Sequence, residues 1–164
     1  MNKKERKDWK GKLQENEEKI IIKYILTLHK IIKEFSDDKN IEHNLILDVR
    51  NITATIGRRK NLKISLEAEK ILGKNIGFNG IERARKENKG LTIAEHKSTV
   101  NDLYNELKSK KFFSEEDAKI WFNKAIIAII TIEENNKLKE KKWEKTRPDD
   151  AYEQLGIIVN DVWN

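Results

Sequence analysis

The chain has 164 residues, with Lys+Arg 34 against Asp+Glu 28, a formal charge of +6 and no Cys. The absence of Cys excludes thiol nucleophiles, Cys-bearing zinc sites and disulfide frameworks, leaving carboxylates, amines, hydroxyls and three histidines for any chemistry. The length fits one domain, which can bury on the order of 70% of its unfolded surface in a single core.

The distribution of charge says more than its total, because 27 Lys, 23 Ile and 16 Asn are also what A/T-rich codon usage would produce. Residues 1–12 hold six positive and two negative charges, and residues 137–147 hold the same. Together these segments carry +8, so the remainder stands at −2 against the net +6. Local basicity of this kind favours an arm or patch that meets polyanions. The start, MNKKERKDWKGK, lacks an apolar segment after its charges, and no uncharged apolar run approaches 18 residues, so a cytoplasmic protein with no membrane partner is expected.

In chain order, Leu13, Ile20, Ile21, Tyr24, Leu28, Ile31, Ile32 and Phe35 recur at three- and four-residue steps and predict a long amphipathic helix ending near Ser36-Asp37-Asp38. Leu45, Val49, Ile52 and Ile56 predict a second helix that stops at Gly57 as its C′ residue. Segment 58–92 holds four of the seven glycines and reads as a glycine-rich basic insert or a helix-turn-helix-like region. Within it, Ser65 caps a short helix over Leu66–Leu72, and a second helix from Gly80 to Asn88 projects Arg83, Arg85 and Lys86. Thr92-Ile-Ala-Glu95 has capping-box spacing and predicts a helix carrying Val100, Leu103, Tyr104 and Leu107 inward. Ser114-Glu-Glu-Asp117 starts another, whose run Ala118, Trp121, Phe122, Ala125, Ile126, Ile129, Ile130 predicts the central helix of the core. Its polar continuation, 137–147, is expected to project as a basic helix end. Pro148-Asp149-Asp150 suits the first turn of a last helix bearing Tyr152, Leu155, Val159 and Val162/Trp163 on one amphipathic face. The expected fold is therefore all-α: a basic arm over 1–12, then a single bundle-like domain of six or seven helices over 13–164.

Metal and nucleotide motifs are missing from the sequence. His29, His43 and His96 fall on different predicted elements, and neither His-Glu-x-x-His nor Glu-x-x-His occurs. Gly73-Lys74 lacks the preceding glycine and following Ser/Thr of a phosphate-binding loop, and no Gly-x-Ser-x-Gly is present. No cofactor, metal ligand or catalytic residue is assigned. Asp48, Glu67, Glu69 and the Glu95-His96-Lys97 triplet are the carboxylates that a metal-dependent nuclease would need to gather from a distance. Gly77-Phe78-Asn79-Gly80 has the Gly-x-x-Gly spacing of KH modules, with Leu91-Thr92-Ile93 available as a following strand, but no Lys or Arg in its loop.

Aromatic residues inside basic runs carry the leading expectation. Trp9 sits among Lys3, Lys4, Arg6 and Lys7, and Trp143 beside Lys141 and Lys142, with Arg147 beyond. Lysines release counterions from phosphate, and an exposed indole stacks on unpaired bases. With Arg58, Arg59, Lys60, Arg83, Arg85 and Lys86, these residues predict a non-enzymatic DNA- or RNA-binding protein, a regulator or accessory subunit of a nucleoprotein assembly. The competing reading is a helical protein-interaction module or homo-oligomer whose first helix, with its stripe Ile20, Tyr24, Ile31, Phe35, or final helix docks on a partner. A metal-dependent nuclease is the third.

Overall fold

The computed structural model describes residues 12–73 and 78–162. Its elements in chain order are α1 (Glu15–Phe35), α2 (Lys39–Arg59), β1 (Leu62–Ser65), α3 (Leu66–Leu72), α4 (Phe78–Glu87), β2 (Thr92–His96), α5 (Val100–Ser109), α6 (Glu115–Lys124), β3 (Ile127–Thr131), α7 (Ile132–Glu140), α8 (Ala151–Gln154) and β4 (Val159–Asp161). Among the described residues the architecture is eight helices around a four-stranded mixed sheet, an α/β fold.

Helices α1, α2, α5 and α6 enclose one core, with Ile25, Leu28, Ile32, Val49, Leu107 and Trp121 fully or almost fully buried. The Leu13 amide donates to the Arg59 carbonyl at 2.8 Å, and Arg59 and Lys60 pair with Glu17 and Glu18. The start of α1 is thereby tied to the end of α2, so the two helices run antiparallel across the short turn at Ser36. Trp121 leaves no polar atom stranded, because its indole N–H donates to the Leu103 carbonyl at 3.0 Å. The starts of the helices are set by short polar side chains: Asp38, Thr99 and Ser114 each accept a backbone N–H of the first turn, and Asp117 answers Ser114 reciprocally.

The strands lie in the order β2-β3-β1-β4. β1 and β3 run parallel in register Leu62↔Ile127 and Ile64↔Ile129, while β2 and β4 close the edges antiparallel. One face packs Ile64, Ile127 and Ile129 under α3 and α4, and the other packs Ala128 and Ile130 under α7, Tyr152 and Ile157. At the shared C-terminal end of the parallel pair, Ser65 and Thr131 finish their strands and cap α3 and α7. The buried Glu134 carboxylate ties the two caps together, accepting from the Ser65 hydroxyl at 2.7 Å and the Thr131 amide at 2.8 Å.

The all-α expectation is corrected by the sheet, and the segments that overturn it share a physical cause. Ala125–Ile130 was apolar all round, a pattern shared by a central helix and by a strand buried on both faces; β-branched Ile127-Ala-Ile-Ile-Thr131 takes the strand, with all five residues buried. Thr92-Ile-Ala-Glu95 is strand β2 rather than a capping box, and the following helix starts seven residues later under Thr99. The last helix is only Ala151–Gln154; Gly156, at φ 67°, turns the chain into β4. Segment 137–147 does not project: α7 ends at Glu140, Leu138 is buried, and the chain folds back to bury Arg147. Gly57 is not a C′ residue but lies inside α2, where a Cβ would strike the Ile127 side chain and stand 2.8 Å from its backbone nitrogen. Its missing side chain lets α2 lie directly on the start of β3.

Candidate nucleic-acid interface

Two of the basic segments singled out from sequence meet at one place, the His96 end of β2. His96 faces α2, with its Nε2 3.3 Å from the Thr53 hydroxyl oxygen. The Thr53 hydroxyl donates to the Val49 carbonyl at 2.8 Å, which leaves its oxygen to accept from the imidazole. Arg50 precedes Thr53 by three residues on one face of α2, Arg58 lies about 80° round the helix from Arg50, and both guanidiniums act on the imidazole. From the other side Arg147 donates to the His96 carbonyl at 2.6 Å, to the Glu95 carboxylate at 2.9 Å and to the Trp143 carbonyl at 3.1 Å. Its side chain is 1% exposed. The Thr99 hydroxyl adds a bond to the Lys145 carbonyl at 2.7 Å, so the 141–147 segment is fastened alongside.

Electrostatics at this point are one-sided. Burial, and after it the neighbouring guanidiniums of Arg50, Arg58 and Arg147, together push the His96 imidazole down to about 4. At neutral pH the ring is uncharged and sits in a positive field. Arg59 and Lys60, next along the chain, are paired with Glu17 and Glu18 and serve mainly to fasten α1 to α2.

Lys141 and Lys142 are exposed on the turn after α7. Lys142 adopts φ 58°, a left-handed conformation, while its amide bonds to Lys139 and the Trp143 amide to Leu138. This is the paired hydrogen-bond pattern that closes a helix with glycine at C′. A lysine there costs on the order of 1 kcal/mol relative to glycine. Trp143 is half-buried against the Tyr152 and Ile157 side of the sheet, so its indole serves packing as well as any surface.

The remaining sequence candidates lie elsewhere. Lys3, Lys4, Arg6, Lys7 and Trp9 fall outside the described residues, as does Gly77 of the Gly-x-x-Gly spacing. On α4, Arg83 and Lys86 are exposed and Arg85 contacts Glu82 at 3.3 Å, with Ile81 and Ala84 turned to the sheet. Among the described residues no group of three or more His, Asp or Glu is disposed to hold a metal, so Asp48, Glu67, Glu69 and Glu95 do not form a cation site there. None of the described helices is long and apolar enough to cross a membrane.

A cleft of about 700 Å³ opens where β1 and β3 end, lined by Glu67, Lys70, Leu91, Glu133, Glu134 and Lys137 among others. Its charges are mixed, with Lys70 2.6 Å from Glu67.

Sequence reasoning missed Arg50 and the part played by His96. The signal was present in the common helix face of Arg50, Thr53 and Gly57, with Arg58 at its edge, but it acquires meaning only once β2 lies across that face. No protein family, curated protein or solved structure compared with this chain matches it.

Proposed function

We propose that the protein binds DNA or RNA without cleaving it, through phosphate-backbone contacts made by the basic end around His96, as a regulator or accessory subunit of a nucleoprotein assembly. The observation that carries this reading is the convergence of Arg50 and Arg58 from α2 with the 141–147 turn on one strand end. Phosphate is the ligand that such a field recognises best, because guanidinium donors match its oxygens and counterion release adds a sequence-independent gain. Two further features support it. The Leu13 amide bonds to the Arg59 carbonyl, so the residue that follows the basic segment in sequence is held at the Arg58–Arg59 end of α2. Lys142 keeps a cation where glycine would be the less strained residue, as expected if the charge is used.

The test is fluorescence anisotropy with labelled single- and double-stranded DNA and RNA at roughly 50 and 200 mM salt, the range over which phosphate contacts weaken steeply. Arg50→Glu and Arg58→Glu should each weaken binding on every sequence and reduce the salt slope by about one. Lys119→Ala, on α6 and paired with Glu115, should leave it unchanged. Absence of binding at the lower salt, or equal loss in all three variants, would reject the reading. Mg²⁺-dependent cleavage of the oligonucleotide would replace it with a catalytic one.

A further inference from the structure

We propose that the outward face of α1 is the contact surface of a homodimer, in which two copies of α1 lie antiparallel about a twofold axis near Thr27. Ile20, Tyr24, Ile31 and Phe35 have the spacing of a core stripe, yet they are 67%, 44%, 39% and 41% exposed. The chain's own core is filled instead by Ile21, Ile25, Leu28 and Ile32, on the adjoining face. At about 100° per residue, the four exposed residues fall within a sector of roughly 60°. α1 therefore carries two apolar faces, and the fold covers one.

The sequence of the stripe fits a second copy of itself. Its members are symmetric about a point between Thr27 and Leu28, so an antiparallel partner sets Ile20 against Phe35 and Tyr24 against Ile31 twice over, as an isologous interface requires. Thr27, the small residue between the two halves, is exposed and lets the helix axes approach. The charge pattern is complementary in the same register. Lys23 and Glu34 lie on one flank of the stripe, both exposed and neither in an ion pair among the described residues. Antiparallel pairing brings Lys23 of each copy beside Glu34 of the other on the same side of the seam, whereas parallel pairing would leave them on opposite sides. The stripe spans 15 residue steps, about 22 Å, and would cover roughly 300–400 Å² per copy. That is below the ~800 Å² per partner of a standard complex, so the dimer should be concentration-dependent, with a dissociation constant in the micromolar range.

Sedimentation velocity of the full chain from about 1 to 200 µM, with Kd values near the micromolar range resolvable over that span, tests the proposal. A rise from monomer to dimer is expected, abolished by Ile31→Lys, a surface change that leaves the α1 core residues in place. Lys23→Glu and Glu34→Lys should each weaken the dimer about tenfold, and the double variant should restore it. Orientation is read by crosslinking, since the chain has no Cys of its own. With a short bismaleimide, Thr27→Cys should link to itself, and Ile20→Cys should link to Phe35→Cys but not to itself. A monomer at every concentration, or self-linking of Ile20→Cys, would overturn the proposal; failure of charge-swap rescue would overturn the register.

Discussion

Folding stability should fall by about 2 kcal/mol between pH 7.5 and pH 5 because of one residue, His96. In the folded chain its imidazole is held down to about 4 by burial and by Arg50, Arg58 and Arg147, against an ordinary 6.5. The folded state thus favours the neutral ring, and as pH drops the unfolded chain takes up the proton first. The contribution is full above the unfolded value of 6.5 and is lost progressively as pH falls toward 4. At pH 5 an unfolded histidine is almost wholly protonated and the folded one mostly neutral, which gives about 2 kcal/mol at 1.36 kcal/mol per tenfold. Glu17, Glu42 and Glu153 are held below their ordinary 4.5, so their loss of native stability belongs to more acidic conditions. Urea denaturation followed by far-UV circular dichroism at pH 7.5, 6.5, 5.5 and 5.0 reads the effect. His96→Gln, whose amide can still meet the Thr53 hydroxyl, should remove most of the slope relative to the unsubstituted protein. Identical slopes in the two proteins would refute the reasoning, because neither burial nor the guanidinium cluster would then hold the imidazole down.

Three further outcomes follow from the packing. Gly57→Ala adds helix propensity worth up to about 1 kcal/mol, but its methyl would collide with Ile127 and its backbone; a net loss of roughly 2 kcal/mol is expected in thermal unfolding. Arg147→Ala strands Glu95 and frees the His96, Lys97 and Trp143 carbonyls, and should cost about 3 kcal/mol; Arg147→Lys should recover little, since one ammonium cannot serve these diverging acceptors. Lys142→Gly should raise stability by up to about 1 kcal/mol by relieving the φ of 58°, while weakening oligonucleotide binding in the anisotropy assay; a loss of stability would show that the residue is unstrained.

The helical half of the molecule was legible because its sequence agrees with itself at several levels. The α1 stripe has a 3.6-residue period, Ser65 and Ser114 stand where caps are needed, and each period begins beside its cap. Where the sheet lies, the same signals point two ways. A strand buried on both faces has no alternation to show, so Ile126-Ile127-Ala128-Ile129-Ile130 matches a buried helix as well as β3. Thr131 then caps α7 immediately, which makes strand and helix read as one uninterrupted pattern. The periodicity of α1 also overstated its burial: Ile20, Tyr24, Ile31 and Phe35 belong to the helix but not to the core.

The site was legible only in parts, since charge density along a chain does not say which charges are committed. Arg59 and Lys60 look as available in sequence as any other cation, yet they pair with Glu17 and Glu18 of α1, partners more than 40 positions away. Arg147 looks equally basic in sequence, yet it is the most buried charge in the region and holds β2 to the 141–147 segment. That commitment is what makes the cluster. By fixing the His96 strand end against α2, the buried guanidinium aligns a neutral imidazole with Arg50 and Arg58, and its own charge deepens the field they share. Isolated lysines on a flexible surface give only diffuse attraction, screened within about 8 Å at physiological salt. Cations held on a helix that is seated by Gly57 on a strand and locked by Arg147 can keep fixed positions toward a phosphate, and that rigidity is the property the sequence could not display.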